Sequence, residues 1–409
     1  MERPYEKLIR YCKVNTMSDD TVPTSPTTQC QFDLARLLEQ ELIAIGVQDV
    51  YLDDACVVYG KLPATEGLEH LPAIGFLAHV DTVPDFSGVD VQPLVIENYD
   101  GKDIPLPKGG RAIRVSDFPH LPAMKGKTLV TASGDTLLGA DDKAGIAEII
   151  SLCERLIASG EPHGTVCIAF TPDEEVGLGV SRFDTERFGA EFAYTLDGSA
   201  VGEVICETFN AASAKVTVHG KNVHPGSAKD VMLNASLVAM EFNAMLPAGD
   251  TPARTEGYEG FFHLMQMSGG VETASLAYIV RDHDLQKLGY RVETMRHIEK
   301  CLNEKYGAGT VEVEIKDGYR NMAEKIRKRM EIVDAAMKAT EEAGVTPIVV
   351  PIRGGTDGAV LTEMGVPCPN LGTGCYGFHG PYEHAVAEDM DRTVEILAQI
   401  LKQFLPNNG

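Results

Sequence analysis

The chain is predicted to be α/β, a mostly parallel mixed sheet with flanking helices, carrying an inserted α+β domain of ferredoxin-like type. Three observations predict this. Short apolar runs at 73–80, 165–170 and 192–196 alternate with segments of helical spacing, the pattern of a sheet covered by helices. Near residue 203 the texture changes, and strand–helix–strand–strand–helix–strand segments follow, the order of a split βαβ unit. At 409 residues the chain exceeds what one ordinary core accommodates. The division read from this is 1–207 and 321–409 for the first domain, with 208–320 inserted into it.

In chain order, Phe32, Leu34, Leu37, Leu38, Leu42 and Ile45 form a helical stripe closed by Gly46, and short strands are expected at 50–51 and 56–61. The run 73–80 reads as a strand buried on both faces and ends in His79-Val80-Asp81. The next roughly 45 residues, rich in Pro, Gly and Asp, read as a long surface excursion with a small hairpin, unusual enough inside a compact domain to suggest function. Gly139 and Ala140 permit a tight turn before Asp141 and Asp142. A helix follows with Ile146, Ile149, Ile150, Cys153, Leu156 and Ile157 on its stripe and Gly160 at its close. Taken alone, an Asp there is an N-cap. The strand 165–170 runs into Thr171-Pro172-Asp173-Glu174-Glu175, and 192–196 runs into Asp197-Gly198.

In the inserted domain, strands are expected at 214–219, 261–267, 274–281 and 310–315, with helices at 233–246 and 285–302. A helix over 322–343, a strand around 348, the turn Arg353-Gly354-Gly355-Thr356-Asp357 and a helix over 388–405 return to the first domain.

The formal charge of −24 argues against nucleic acid as a partner, because phosphate binding needs an excess of Lys and Arg. Nine cysteines, an odd number without C-x-x-C pairs, fit buried thiols such as Cys153 and Cys167 and a reducing compartment. The N-terminal stretch MERPYEKLIRYCKVNT has no apolar signal region, and no segment reaches the length of a membrane span. A cytoplasmic protein without membrane association is expected.

His79, Asp81, Glu174, Glu175 and Asp197 all lie just beyond predicted strand ends, the edge of an open α/β sheet where sites are built. Asp141 and, from the turn Phe378-His379-Gly380-Pro381-Tyr382-Glu383, His379 join them. Massed carboxylates without Lys or Arg are costly unless a divalent cation lies among them. Imidazole and carboxylate donors without thiolate suit zinc or another first-row ion. Five ligands serve two ions if one bridges: Asp141 as bridge, with His79 and Asp197 on one ion and Glu175 and His379 on the other. Two ions about 3.5–4 Å apart hold a hydroxide between them and polarise a carbonyl together. Glu174 is then the base that shuttles the proton, and Asp81 the carboxylate that orients His79. Singly, each motif has a plain alternative as a solvated turn or cap; their recurrence at strand ends and a helix start favours the site.

The segments HVDTVPDFSG, LLGADDKAGIAEI, FTPDEEVGLG, TLDG, RGGTDGAVLTEMGVPCPNLGTG and FHGPYE resemble the tripeptide aminopeptidases of the dinuclear zinc exopeptidase superfamily, over essentially the whole chain. The resemblance implies the same ligand set, with Glu174 as base and Asp81 as orienter, and a cis peptide between Asp141 and Asp142. It also implies that the inserted domain is a lid and a surface for homodimer formation, and that His224 helps hold the scissile carbonyl oxygen. Arg281 and Arg353 are the arginines expected to bind the substrate carboxylate, since a planar fork suits bidentate binding. The expected activity is release of the N-terminal residue from tripeptides. A dipeptidase, carboxypeptidase or N-acyl amino acid deacylase would share the metal motifs, and a non-catalytic binding protein would be expected to lack Glu174 or Asp141.

Overall fold

A computed structural model describes residues 1–406. The chain divides into two compact units: one of Met1–Cys206, Glu324–Val350 and Thr356 onward, the other of Glu207–Ala323 with Pro351–Gly355.

The first unit is built on an eight-stranded sheet in the order Gln48–Leu52, Val58–Leu62, Val166–Thr171, Ile74–His79, Phe192–Gly198, Asn370–Gly372, Glu203–Ile205, Ile348–Val349. The four strands from Val166–Thr171 to Asn370–Gly372 run parallel, and antiparallel neighbours flank them. Ile74–His79 and Val166–Thr171 are buried at every residue, as the unbroken apolar runs require. The helix Ala140–Ser159 packs on Ile74–His79 and Phe192–Gly198 and against the helices Pro4–Cys12 and Ala387–Gln403. It is enclosed on nearly all sides, but Ile157, expected on its apolar stripe, is 45% exposed. A Cβ at Gly145 would lie 2.5 Å from the carbonyl oxygen of Leu196, so only glycine lets this helix approach the strand that carries Asp197 so closely.

Two expectations are corrected. The excursion after Asp81 holds the expected small hairpin, Ile104–Pro105 with Ala112–Ile113, but is more than a surface loop. Its strands Leu94–Ile96 and Leu129–Thr131 pair with each other, and Leu129–Thr131 also pairs with His384–Val386 just past the His379 turn. Tyr99, Ile104, Leu106, Ile113, Leu121 and Leu129 form a core of their own there. Strands of two or three residues are too short to display a period of two, and turn residues dominate the composition. The helix expected over 322–343 is two helices, Ala323–Ile326 and Met330–Glu342, separated at Arg329, whose backbone is non-helical.

The second unit is a four-stranded antiparallel sheet in the order Phe261–Gly269, Thr273–Asp282, Asn210–His219, Val311–Asp317, the ferredoxin-like arrangement. Thr273–Asp282 alternates in burial residue by residue, as expected for a sheet with one face covered. The helices Ala235–Met245 and Leu285–Tyr306 cover that face, with Val216, Phe242, Leu276, Val280, Met295 and Leu302 in the shared core. Asn234 and Asp284 cap these helices by accepting two backbone N–H bonds each.

Cys153 and Cys167 are buried, as are Cys12, Cys56, Cys368 and Cys375. Among the described residues no helix is long and apolar enough to cross a membrane.

Candidate metal centre

Parallel strands deliver the site. Ile74–His79 ends on His79, and its neighbour Phe192–Gly198 carries Asp197 next to its last residue. Val166–Thr171, on the other side, leads through Pro172 and Asp173 to Glu174 and Glu175. Because the three strands are adjacent and parallel, these side chains share one edge of the sheet. Asp141 enters from the irregular first turn of Ala140–Ser159, and His379 from the turn before His384–Val386.

The five residues expected as metal ligands come together in two groups, His79–Asp141–Asp197 and Asp141–Glu175–His379, each with its ligand atoms within 4.8 Å of one another. The two oxygens of Asp141 divide between them: Oδ1 lies 3.0 Å from His79 Nε2, and Oδ2 lies 3.3 Å from His379 Nε2. Asp197 Oδ1 stands 3.8 Å from His79 Nε2, and Glu175 Oε2 3.2 Å from His379 Nε2.

The electrostatics show what the donors lack. Burial, with Asp141 close by, pushes Asp197 well above the usual carboxylate range and Glu175 up to about 7. Burial and the charge of Asp197 do the same to Glu174. Asp141 is held below the range against the effect of its burial, by hydrogen bonds from His379 and His79. Hydrogen bonds to Asp141 and Glu175 raise His379 to about 11. Without a cation the acids thus draw protons onto both imidazoles or hold protons themselves. A donor set of two imidazoles and three carboxylates, short of positive charge, fits one or two divalent first-row ions.

Four further acids shape the centre. Asp81, fully buried, has Oδ1 3.2 Å from His79 Nδ1, as expected of an orienting carboxylate. It also accepts the N–H of Glu174 at 3.0 Å and of Glu175 at 3.2 Å, so it holds the turn that bears both residues as well. Asp142 takes the capping role: its Oδ1 accepts the Gly145 N–H at 3.3 Å and its Oδ2 the His79 N–H at 3.2 Å. The Asp141–Asp142 peptide is cis. Asp173, at φ 54°, accepts from Thr27 N–H at 2.8 Å, Thr27 Oγ1 at 2.5 Å and Gln31 Nε2 at 2.7 Å, clamping the same turn from the N-terminal segment. Sequence reasoning missed Asp173; its partners lie more than a hundred residues away and leave no local signal. The fourth acid, Glu383, was legible only as part of the His379 turn.

Glu174 lies beside both groups and belongs to neither. The three residues expected to bind substrate lie in the second unit. His224 is exposed and its Nδ1 accepts the Gly226 N–H at 3.1 Å. Arg281 donates through Nη1 to the carbonyls of Ala212 and Val280, both at 3.1 Å. Arg353 gives Nη1 to the carbonyls of Gly257 at 2.9 Å and Glu259 at 2.7 Å, and Nη2 to Thr255 Oγ1 at 2.8 Å.

A parallel-sheet unit with this acid and imidazole cluster, together with a ferredoxin-like unit, defines a metal-dependent peptidase, and residues 137–403 match the model of peptidase family M20/M25/M40. The chain belongs to that family, together with the proteins named Peptidase T. Peptidase T of Alkaliphilus oremlandii is 49% identical over 407 residues, 99% of this chain and 100% of the relative. Peptidase T of Clostridium perfringens strain 13 is 51% identical over 405 residues, 99% of each. Among solved structures, the aminopeptidase PepT of Bacillus cereus superposes with a TM-score of 0.78 at 23% identity, covering 98% of both chains, which shows the shared fold.

Proposed function

We propose that the chain is a tripeptide aminopeptidase that works with two divalent ions, zinc in this reading, sharing Asp141. The carrying observation is that the two oxygens of Asp141 face different histidines, 3.0 Å from His79 and 3.3 Å from His379. His79 and Asp197 would hold one ion, and Glu175 and His379 the other. Bound there, the ions acidify water and polarise the scissile carbonyl. Glu174 takes the proton from the attacking water and returns it to the leaving amine. Asp81 keeps His79 in one tautomer and holds the backbone of Glu174 and Glu175 in place. His224 is assigned to the oxyanion.

Choice of substrate rests on the name Peptidase T of relatives near 50% identity and on the words aminopeptidase and tripeptidase borne by proteins of the same fold. An aminoacylhistidine dipeptidase of Vibrio alginolyticus shares the fold at a TM-score of 0.65, so metal donors alone do not separate these activities. Turnover of a panel of tripeptides, dipeptides and N-acyl amino acids decides: tripeptides with a free amine are expected to be preferred, and a preference for acylated substrates would overturn the reading.

Length selection is assigned to an arginine that receives the tripeptide carboxylate. The guanidinium of Arg281 bonds the carbonyls of Ala212 and Val280 through Nη1, whereas Arg353 spends both Nη atoms on the 255–259 loop. Arg281→Ala is therefore expected to raise KM for tripeptides by about 10- to 100-fold, the value of a charge-assisted bond of about 1.5–3 kcal/mol, with a smaller change in kcat. Arg353→Ala is expected to weaken binding less directly, by loosening that loop. Unchanged tripeptide kinetics in both variants would place the length ruler elsewhere.

The second unit is also assigned a homodimer surface. Phe261–Gly269 is an outer strand with Met265 59% exposed, and the adjoining helix shows Leu237 62% exposed and Met240 55% exposed. An apolar outer strand pairs readily with a second copy. Light scattering is expected to show a dimer for the native chain and a monomer for Met265→Lys with Leu237→Glu; a monomeric native chain at micromolar concentration would reject this surface.

A further inference from the structure

Four residues beyond His379, on the same turn, stands an acid that the mechanism above does not use. Glu383 is 1% exposed. One of its oxygens accepts the N–H groups of Leu138 at 2.8 Å and Gly139 at 2.7 Å, and the other accepts the N–H of Asp141 at 2.8 Å. Three short bonds from the backbone N–H groups of Leu138, Gly139 and Asp141 to one carboxylate define the path of residues 138–141, the stretch that delivers Asp141. Gly139 turns there with φ 83°, and the backbone angles of Asp141 and Asp142 depart from the helical ones at the start of Ala140–Ser159. At this irregular start the N–H of Asp141 is held by Glu383. The carboxylate so placed faces His379 at 3.3 Å, a residue of Glu383's own turn.

We propose that Glu383 is a positioning residue that ties the 138–141 turn to the 379–383 turn, so that Asp141 and His379 are presented to one ion at a set separation. The proposal rests on the reading of Asp141 as the shared ligand. It differs from a purely structural role in what it predicts. A structural acid would support the fold and leave ion affinity alone, whereas a positioning acid changes the affinity of a site it never touches.

The chemistry of substitution is specific. Glutamine keeps the shape, but whichever way its amide is turned, its NH2 group opposes at least one of the three N–H donors. Aspartate keeps the charge and falls one methylene short of the same donors. Zinc is titrated calorimetrically into metal-free native chain, Glu383→Gln, Glu383→Asp and a core variant, Leu38→Ala, which lies in the helix Gln31–Ile45 and is fully buried. Glu383→Gln is expected to bind zinc about 10- to 100-fold more weakly, and Glu383→Asp to fall by a smaller factor. Leu38→Ala is expected to melt earlier while binding zinc as the native chain does. Native affinity in whichever Glu383 variant folds, or a loss no larger than that of Leu38→Ala, would overturn the proposal while leaving the metal centre standing. A native chain that binds no zinc would overturn both.

Discussion

Glu174→Gln protein is expected to retain its full complement of metal and to lose about 10²–10⁴-fold in tripeptide turnover, the range that a positioned general base supplies. The expectation follows from where Glu174 sits. It adjoins both ligand groups and belongs to neither, so removing its charge takes no donor from an ion. Its backbone is anchored independently, through the N–H bond to Asp81 at 3.0 Å, so the amide should occupy the same place. Elemental analysis of the purified variant beside steady-state kinetics tests both halves. Parallel loss of metal would mean that Glu174 and Glu175 had exchanged roles.

The second large effect is expected at Asp141. Asp141→Asn should cost both ions together and reduce hydrolysis to background, because each oxygen serves a different histidine. An amide offers one acceptor oxygen and, on the other side, an NH2 group that cannot ligate. His379→Ala, by contrast, should deplete chiefly the ion it shares with Glu175 and leave the His79–Asp197 pair occupied. Metal stoichiometry after dialysis separates the two cases. Equal depletion in both variants, or one full ion retained by Asp141→Asn, would show that Asp141 is not shared.

How much of this was legible beforehand varies residue by residue. His79, Glu175 and Asp197 announced themselves because each follows an apolar run that can only be a buried strand, and parallel strands send such residues to one edge. Asp141 and His379 were found by motif, Asp141 against a competing reading as an N-cap. That competing reading has its occupant too: Asp142 accepts the Gly145 N–H, leaving its neighbour for the site. Apolar spacing alone does not separate the two roles, since both aspartates stand at the start of the same helix. The strands Leu94–Ile96 and Leu129–Thr131 were lost because three residues carry no period. The break at Arg329 went unseen for a related reason: apolar spacing continues across it while the backbone does not.

The amino-acid sequence by itself determined the class of fold, most of its elements and which residues are candidate metal donors. Those properties are written in neighbouring residues: an apolar run, the acid that ends it, the glycine that closes a helix. Only the tertiary structure decided that Asp81 steadies a turn as well as an imidazole, and that Asp173 and Glu383 hold the backbone beneath the site. Each of these depends on hydrogen bonds between segments tens to hundreds of residues apart, whose partners meet only when the sheet and helices have packed.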